Sequence, residues 1–275
     1  MALAKTKDGV ALYYESAGTG APILFVHELA GTLQSFAPQV AALAKMFRCV
    51  AYNARGYPPS EVPPEVDSYS QDIAASDIGA VLDAAGIESA HVMGVSMGSA
   101  AALQFALDEP ARVRSAILAS IGSGSDAAPG AYGQEMELRA RAIEQDGMAK
   151  SAENFGNSPS RQKLKDKNPA LYRDFCKAIS ALSVLGMTNT IRGVQSRRPS
   201  LYAHKDRITA MTTPTLVLLG ADDEACVKPS RFLADTLPGA ALETIVNTGH
   251  GLNLEEPALV NELITHFVAA VEARR

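Results

Sequence analysis

The sequence lacks an excess of positive charge. Lys and Arg number 25 against 30 Asp and Glu, a formal net charge of −5. No general polycationic field is therefore available to draw in nucleic acid or an anionic membrane surface. It also lacks an uninterrupted apolar stretch long enough to span a bilayer. The opening MALAKTKDGV lacks the apolar run and cleavage site of a secretory signal. Cysteine is scarce: Cys49, Cys176 and Cys226 are scattered, odd in number and without CxxC spacing. That argues against a disulfide framework or a zinc site and fits a reducing cytoplasm, which is the expected location. Neither an internal repeat nor a low-complexity segment is evident. What is present is 47% apolar and 20% charged over 275 residues, ample for one large domain or one domain carrying an insertion.

Strand and helix patterns alternate along the first part of the chain. VALYYES (10–16) reads as a strand, ILFV (23–26) as a buried parallel strand, and CVAY (49–52) as another. Between them Phe36, Val40, Leu43, Ala44 and Phe47 recur at helical spacing. The prolines of ARGYPPSEVPPEV mark a loop, in which Arg55 is expected to support the loop rather than bind substrate. Ile73, Ile78, Val81 and Leu82 share a helix face ending near Gly86, a candidate C-terminal cap. HVMGV is a strand, SMGSAAALQFALDEP a helix and AILAS (116–120) a strand. This alternation predicts a doubly wound α/β sheet.

The alternation then stops. No convincing strand lies between Ile121 and Thr213, where helices over 132–145 and 169–182 are expected. It resumes with TLVLLG (215–220), KPSRFLADTL (228–237), ALETIV (241–246) and a last helix with Leu259, Val260, Leu263, Ile264, Phe267 and Val268 on one face. The division is therefore a core of residues 1–121 and 213–275 and a helical insertion over 122–212. From Ser125 to Ala210 there are 14 Lys and Arg against 9 Asp and Glu. Two readings of that surplus stand. RQKLKDK (161–167) and its neighbours form a solvated helix surface, or one or two of these cations meet an anionic substrate. Met136, Met148, Phe155, Phe175 and Met187 are expected to form the insertion's own core, with a minority lining a pocket.

One serine stands out. Gly94 and Gly98 flank Ser96 as G-x-S-x-G, after an apolar strand and before a small-residue helix. A strand that turns abruptly into a helix strains the intervening residue, and side chains two positions either side would collide with its neighbours. The hydroxyl is then held at the sheet's C-terminal edge, with the Met97 N–H aimed where charge develops on an attacked carbonyl. A serine hydroxyl needs a base. His250, in the Gly-flanked loop NTGHGLNLEEP between a strand and the last helix, is on the same edge; His91 is at the wrong end of its strand. The imidazole needs a carboxylate partner, and Asp222 or Asp223, directly after a strand, could serve. The order Ser…Asp…His fits, and spacing alone does not choose between the two aspartates.

With these residues in view the sequence resembles the α/β-hydrolase superfamily, in particular its cap-bearing bacterial esterases, lactonases and C–C hydrolases. The resemblance covers nearly the whole chain, through GVALYYESAGTGAPILFVHELAG, YNARGYPPSE, GVSMGSAAAL, PTLVLLGADDEACV and NTGHGLNLEEP. It implies a mostly parallel eight-stranded sheet with a helical cap inserted over 122–212. It implies Asp223 as the acid, with Asp222 as the fallback, and Leu29 as the second backbone N–H of an oxyanion hole beside Met97. His27 is expected to pack structurally. One departure matters: the family commonly has His-Gly-x where this chain has His27-Glu28-Leu29. Glu28 is then either turned out to the surface, or close to the site and in contact with substrate or a neighbouring polar group.

The resemblance implies acyl transfer to water on a small ester or lactone, through an acyl-enzyme on Ser96. Hydrolysis of a C–C bond in a vinylogous diketone is the alternative within the same triad. Cofactorless haloperoxidase or perhydrolase activity is a further one. A small-molecule receptor that retains the triad residues belongs to a different class. No metal or organic cofactor is expected, because no ligand cluster appears in the sequence. The partner is a small molecule rather than nucleic acid or membrane, and a homodimer is left open.

Overall fold

The structure, a computed structural model, describes residues 2–127 and 130–275. The first half of the chain runs β1 (Ala2–Lys5), β2 (Ala11–Ala17), β3 (Pro22–Val26), α1 (Ala37–Leu43), β4 (Arg48–Tyr52), α2 (Gln71–Ala84), β5 (Ala90–Val95), α3 (Met97–Asp108) and β6 (Val113–Ala119). Five helices follow: α4 (Ala131–Gly156), α5 (Pro159–Lys167), α6 (Pro169–Ser180), α7 (Val184–Thr190) and α8 (Lys205–Thr209). The chain closes with β7 (Thr215–Gly220), α9 (Glu224–Thr236), β8 (Ala241–Ile245), α10 (Leu252–Glu255) and α11 (Pro257–Glu272). No helix among the described residues is long and apolar enough to cross a membrane.

The eight strands form one sheet in the order β1-β2-β4-β3-β5-β6-β7-β8. Strand β2 pairs antiparallel with β1 and β4, and the pairs from β4 to β8 are parallel. From β3 the chain winds out to β4 and from β5 it winds the other way, so the connections after these adjacent strands diverge and leave a crevice at their C-terminal ends. Val26 is in register with Gly94, which brings the loop after β3 beside the turn after β5.

Residues alternate between the sheet's two faces. Leu24, Val26, Val92, Leu118 and Val217 pack on one face against Ile78, Val81 and Leu82 of α2 and Ala102 and Phe105 of α3. Ile23, Phe25, Met93, Val95 and Leu218 pack on the other against Leu43 of α1 and Val260, Ile264 and Val268 of α11. Helix α2 starts where Ser70 Oγ accepts the Ile73 N–H at 3.1 Å, and it ends as expected before Gly86, which takes a φ of 66°. Met136, Met148, Phe175 and Met187 join a third cluster with Tyr57 and Tyr69 of the loop after β4 and Met97 at the start of α3.

Several boundaries differ from the sequence reading. Strand β1 was not expected: it is an edge strand with only Ala4 buried, so no apolar pattern announces it. The helix expected over 132–145 lies within α4, which continues past a break at Gly147 (φ 73°, ψ 174°). Helix α9 begins at Glu224, with Pro229 inside it rather than at its start.

Two buried charged or titratable groups tie the fold together. Arg55, as expected, supports its loop: its Nε and Nη2 donate to the two oxygens of Asp77, each at 2.8 Å, and its Nη1 donates to Asp8 at 2.7 Å and to the Ser68 carbonyl at 2.8 Å. His91, wholly buried at the start of β5, lies 2.7 Å from Ser115 Oγ and 3.2 Å from Glu272. Burial pushes its imidazole down from 6.5 to about 4; Glu272 opposes this, and Arg114 and Arg275 add to it. The unfolded chain takes up this proton near pH 6.5 and the folded chain only near 4, so folding stability falls as pH drops through that window. At about 1.36 kcal/mol per pH unit the loss approaches ~3 kcal/mol. Urea unfolding from pH 7 to 4 should show that decline, and His91→Gln should flatten it. An unchanged slope in the variant would assign the decline elsewhere.

Candidate active site

Strand β5 passes into α3 through the single residue Ser96. Its φ of 53° and ψ of −112° lie in a region that residues with a Cβ rarely adopt. The turn is held by the Ser96 N–H, which donates to the Ala119 carbonyl at 2.8 Å. Both flanking glycines are required by contact. A Cβ on Gly94 would lie 2.3 Å from the Gly98 carbonyl carbon, and one on Gly98 would lie 2.0 Å from the Val26 carbonyl oxygen. Any side chain there would push α3 off β5 or off β3. Ser96 gives α3 no side-chain cap, so the N–H of Met97, the first helical residue, has no capping partner from that side chain.

The histidine and the acid arrive from β8 and β7. His250 Nδ1 lies 2.8 Å from Asp223 Oδ2. Asp222, the alternative acid, turns away and pairs with Lys163 of α5 at 2.8 Å. Asp223 is 6% exposed. Burial pushes its carboxyl up, but the charge and hydrogen bond of His250, with help from Cys226 and Ser120, outweigh burial and hold it below its usual value. It therefore stays a carboxylate, and the ring nitrogen facing it is Nδ1–H. Ser96, His250 and Asp223 all line one cavity of about 480 Å³. Among the described residues no hydrogen bond forms to the Ser96 hydroxyl.

Three residues that the sequence reading passed over hold the histidine loop. Buried Glu255 accepts the N–H groups of Gly249 at 2.6 Å and Gly251 at 3.0 Å, on either side of His250. Ser120, at the end of β6 with a φ of 50°, donates its hydroxyl to the His250 carbonyl at 3.0 Å. Cys226 donates its thiol to the Ser120 carbonyl at 3.2 Å, and Sγ is 3.9 Å from His250 Nδ1. Donor atoms of Asp223, Cys226 and His250 thus lie within 4.8 Å of one another. Burial, with the Asp223 charge beside it, pushes the thiol up, so it keeps its proton and donates it; the trio is engaged as hydrogen bonds rather than as open ligands. Two of the three have a faint sequence signal: Ser120 is a polar residue just after an apolar strand, and Glu255 an acid following HG in a loop.

The loop after β3 is equally braced. His27 is buried as expected. Its Nδ1 lies 2.8 Å from the Glu28 carbonyl, and Nε2 accepts the Ala54 N–H at 3.0 Å, which fixes the tautomer with the proton on Nδ1. Burial pushes this imidazole down and keeps it neutral. Glu28 does not turn out to the surface: it is 2% exposed, its Oε1 accepts the Ser35 hydroxyl at 3.1 Å, and it lies 3.9 Å from Arg161 of α5. Leu29 lines the same cavity as Ser96.

RQKLKDK is only partly a solvated face: Lys165 and Asp166 are exposed, but the other cations turn inward or onto neighbouring loops. Arg161 is buried; Lys163 reaches Asp222 and, at 2.6 Å, Asn247 Oδ1; Lys167 reaches Thr248 Oγ1 at 3.2 Å and Glu256. Helix α5 is clamped by its cations onto the loops that carry Asp223 and His250. Of the insertion's apolar side chains, Met136, Ile143 and Phe155 face the cavity. The space is large enough for a small organic molecule, and its lining mixes these apolar side chains with many polar ones, among them Glu135, Arg139, Asn154, Arg161 and Gln195.

A family model described as the alpha/beta hydrolase fold matches residues 21–257. The 3-oxoadipate enol-lactonase 1 of Acinetobacter baylyi is 25% identical over 251 residues, covering 91% of this chain and 89% of that protein. The AB hydrolase superfamily protein YisY of Bacillus subtilis is 30% identical over 273 residues, covering 96% and 97%. Among solved structures, the enol-lactonase from Burkholderia xenovorans LB400 superposes with a TM-score of 0.85 at 21% identity, covering 97% of this chain and 99% of that one.

Proposed function

The chain belongs to the alpha/beta hydrolase fold family, and from that premise we propose that it is a serine hydrolase cleaving a small carboxylic ester or lactone through an acyl-enzyme on Ser96. The observation that carries the reading is the 2.8 Å contact of His250 Nδ1 with a buried carboxylate, in a cavity shared with a serine on a strained strand-to-helix turn. With Nδ1–H given to Asp223, Nε2 keeps its lone pair and serves as the base. Ser96 Oγ attacks the carbonyl carbon as its proton passes to His250. The backbone N–H groups of Leu29 and Met97 receive the oxyanion. The C–O bond to the leaving group breaks, and His250 protonates the departing alkoxide or enolate. Water, deprotonated by His250, then hydrolyses the acyl-enzyme and restores the serine. The segment 122–212 acts as a cap that walls the cavity with Met136, Ile143 and Phe155 and excludes water from the acyl-enzyme.

A lactone-sized substrate suits a cavity of about 480 Å³, and the enol-lactonase named among the relatives supports the lactone half of the reading. The test is covalent trapping. An organophosphonate should label the protein one-to-one on the peptide carrying Ser96 and should stop turnover of p-nitrophenyl acetate and of a five-membered enol lactone. Label on another residue, or full turnover by labelled protein, would overturn the reading.

A further inference from the structure

Glu28 presents a physical problem. It is a buried carboxylate one residue before Leu29, whose N–H the proposed reaction uses to hold an oxyanion. Its side chain lies flat against the backbone: a Cβ on Gly31 would be 2.5 Å from its Cδ. The Ser35 hydroxyl donates to Oε1, while Oε2 is buried with no hydrogen-bond partner. The His27 carbonyl oxygen lies 2.8 Å from the Cβ position of Gly98, so this stretch runs against the first turn of α3, next to Ser96. A second negative charge developing on a substrate oxygen there would be repelled, and in a wall of low polarity that repulsion is poorly screened.

Arg161 supplies the opposing charge. It is 6% exposed, and its Nη2 lies 3.9 Å from Glu28 Oε1. Its plane is fixed by stacking on Phe175, with the guanidinium carbon 4.5 Å from the ring centroid. Nη1 is buried without a hydrogen-bond partner and packs where a Cβ on Gly251 would lie, 2.6 Å away. One guanidinium therefore touches both the loop that carries Leu29 and the residue after His250. Lys163 and Lys167 pair with acids at the rim, where Lys163 is 36% exposed.

We propose that Arg161 is a positioning residue of this site, neutralising the buried Glu28 carboxylate beside the oxyanion hole and fixing the loop that presents the Leu29 N–H. The inference rests on the acyl-enzyme reading. It makes Glu28 and Arg161 a unit: the carboxylate without its cation harms the transition state, and removing both harms it less than removing the cation alone.

The experiment is a double-mutant cycle on the full chain, with active sites counted by phosphonate titration and melting temperature recorded for each variant. Substrates are p-nitrophenyl butyrate and the anionic p-nitrophenyl half-ester of succinate. Arg161→Met should lower kcat on the neutral ester by about 100-fold, the scale of one oxyanion-hole donor, and change KM by less than about threefold. Glu28→Gln alone should change kcat by less than about tenfold, and Glu28→Gln/Arg161→Met should recover at least about tenfold of the Arg161→Met loss. Should Arg161→Met not fold, Arg161→Gln and Glu28→Gln/Arg161→Gln remove the charge while keeping a polar head group, and are read in the same way. A double variant as slow as the single would overturn the proposal. So would a loss confined to KM for the anionic ester, which would make Arg161 a receptor for substrate charge. Ser96→Ala in the same assay separates the two layers: activity that survives it overturns the acyl-enzyme reading, whereas its loss beside an additive cycle overturns only the role of Arg161.

Discussion

Ser96→Ala is expected to lower kcat by about four to six orders of magnitude while leaving the fold intact, the scale seen when a triad nucleophile is removed. The other cavity serines, Ser123, Ser151, Ser158 and Ser160, lack a base held as His250 is. Cys226, whose thiol lies 3.9 Å from His250 Nδ1, is kept protonated by burial and donates to the Ser120 carbonyl. What survives is attack by water on a carbonyl polarised by Leu29 and Met97, which retains a small part of the acceleration. Little stability should change. The hydroxyl caps no helix, and alanine inherits the same φ of 53°. Single-turnover kinetics on p-nitrophenyl acetate beside a thermal melt decide the matter. A variant that keeps more than about one per cent of kcat would contradict a loss of this size and remove the nucleophile from position 96.

The serine and the histidine were legible because their signals are local. Gly94 and Gly98 declare a backbone collision before any coordinates are known, and the collision is there, at 2.3 and 2.0 Å. The loop of His250 is bounded by a strand and a helix whose periodicities differ. The sheet followed from the same alternation, apart from β1, whose four residues bury only Ala4 and so leave no pattern to read. The choice between Asp222 and Asp223 was not legible from the residues, since adjacent side chains in a turn point apart. Only the folded loop shows which one meets the imidazole: Asp223 faces His250, and Asp222 faces Lys163, 59 positions away.

The cations of α5 show the same limit more sharply. Alternating Lys and Arg on a short helix look like a face toward water, and nothing in RQKLKDK names the acids they meet. Those acids, Glu28, Asp222 and Glu256, come from three separate loops that only the closed sheet brings together. Glu28 is the counterpart of this: whether it turned in or out depended on a partner 133 residues downstream. Glu255 and Ser120 were missed for a related reason. Each acts by holding the backbone around His250, and a side chain that braces main chain carries no motif.

Arg55→Met should be the most damaging single change to stability away from the cavity, at about 3–5 kcal/mol. The guanidinium is 5% exposed and its main partner Asp77 is 4% exposed, with both carboxylate oxygens taken by Nε and Nη2. Methionine fills the volume and removes the charge, so the loss is that of a stranded buried carboxylate rather than of packing. Burial already pushes the Asp77 carboxyl up against the pull of Arg55. Without the cation it rises further, and the variant's deficit should shrink as pH falls, because the folded chain then takes up the proton before the unfolded one. Asp8, half-exposed and held low by the same guanidinium, would return toward its ordinary value at little cost. Arg55→Met/Asp77→Leu should recover most of the loss in urea unfolding, since replacing both members of a buried pair with apolar groups is often nearly neutral. A deficit below about 1 kcal/mol for the single variant, or none regained by the double, would show that the pair is solvated and does not order this loop. The large expected deficit and the near-neutral double together assign Arg55 its purpose. The pair adds little net stability, yet it holds β1, the 53–69 loop and α2 in one register, and that register seats Tyr57 against the His27 ring at 4.6 Å, directly behind the residues that carry Leu29.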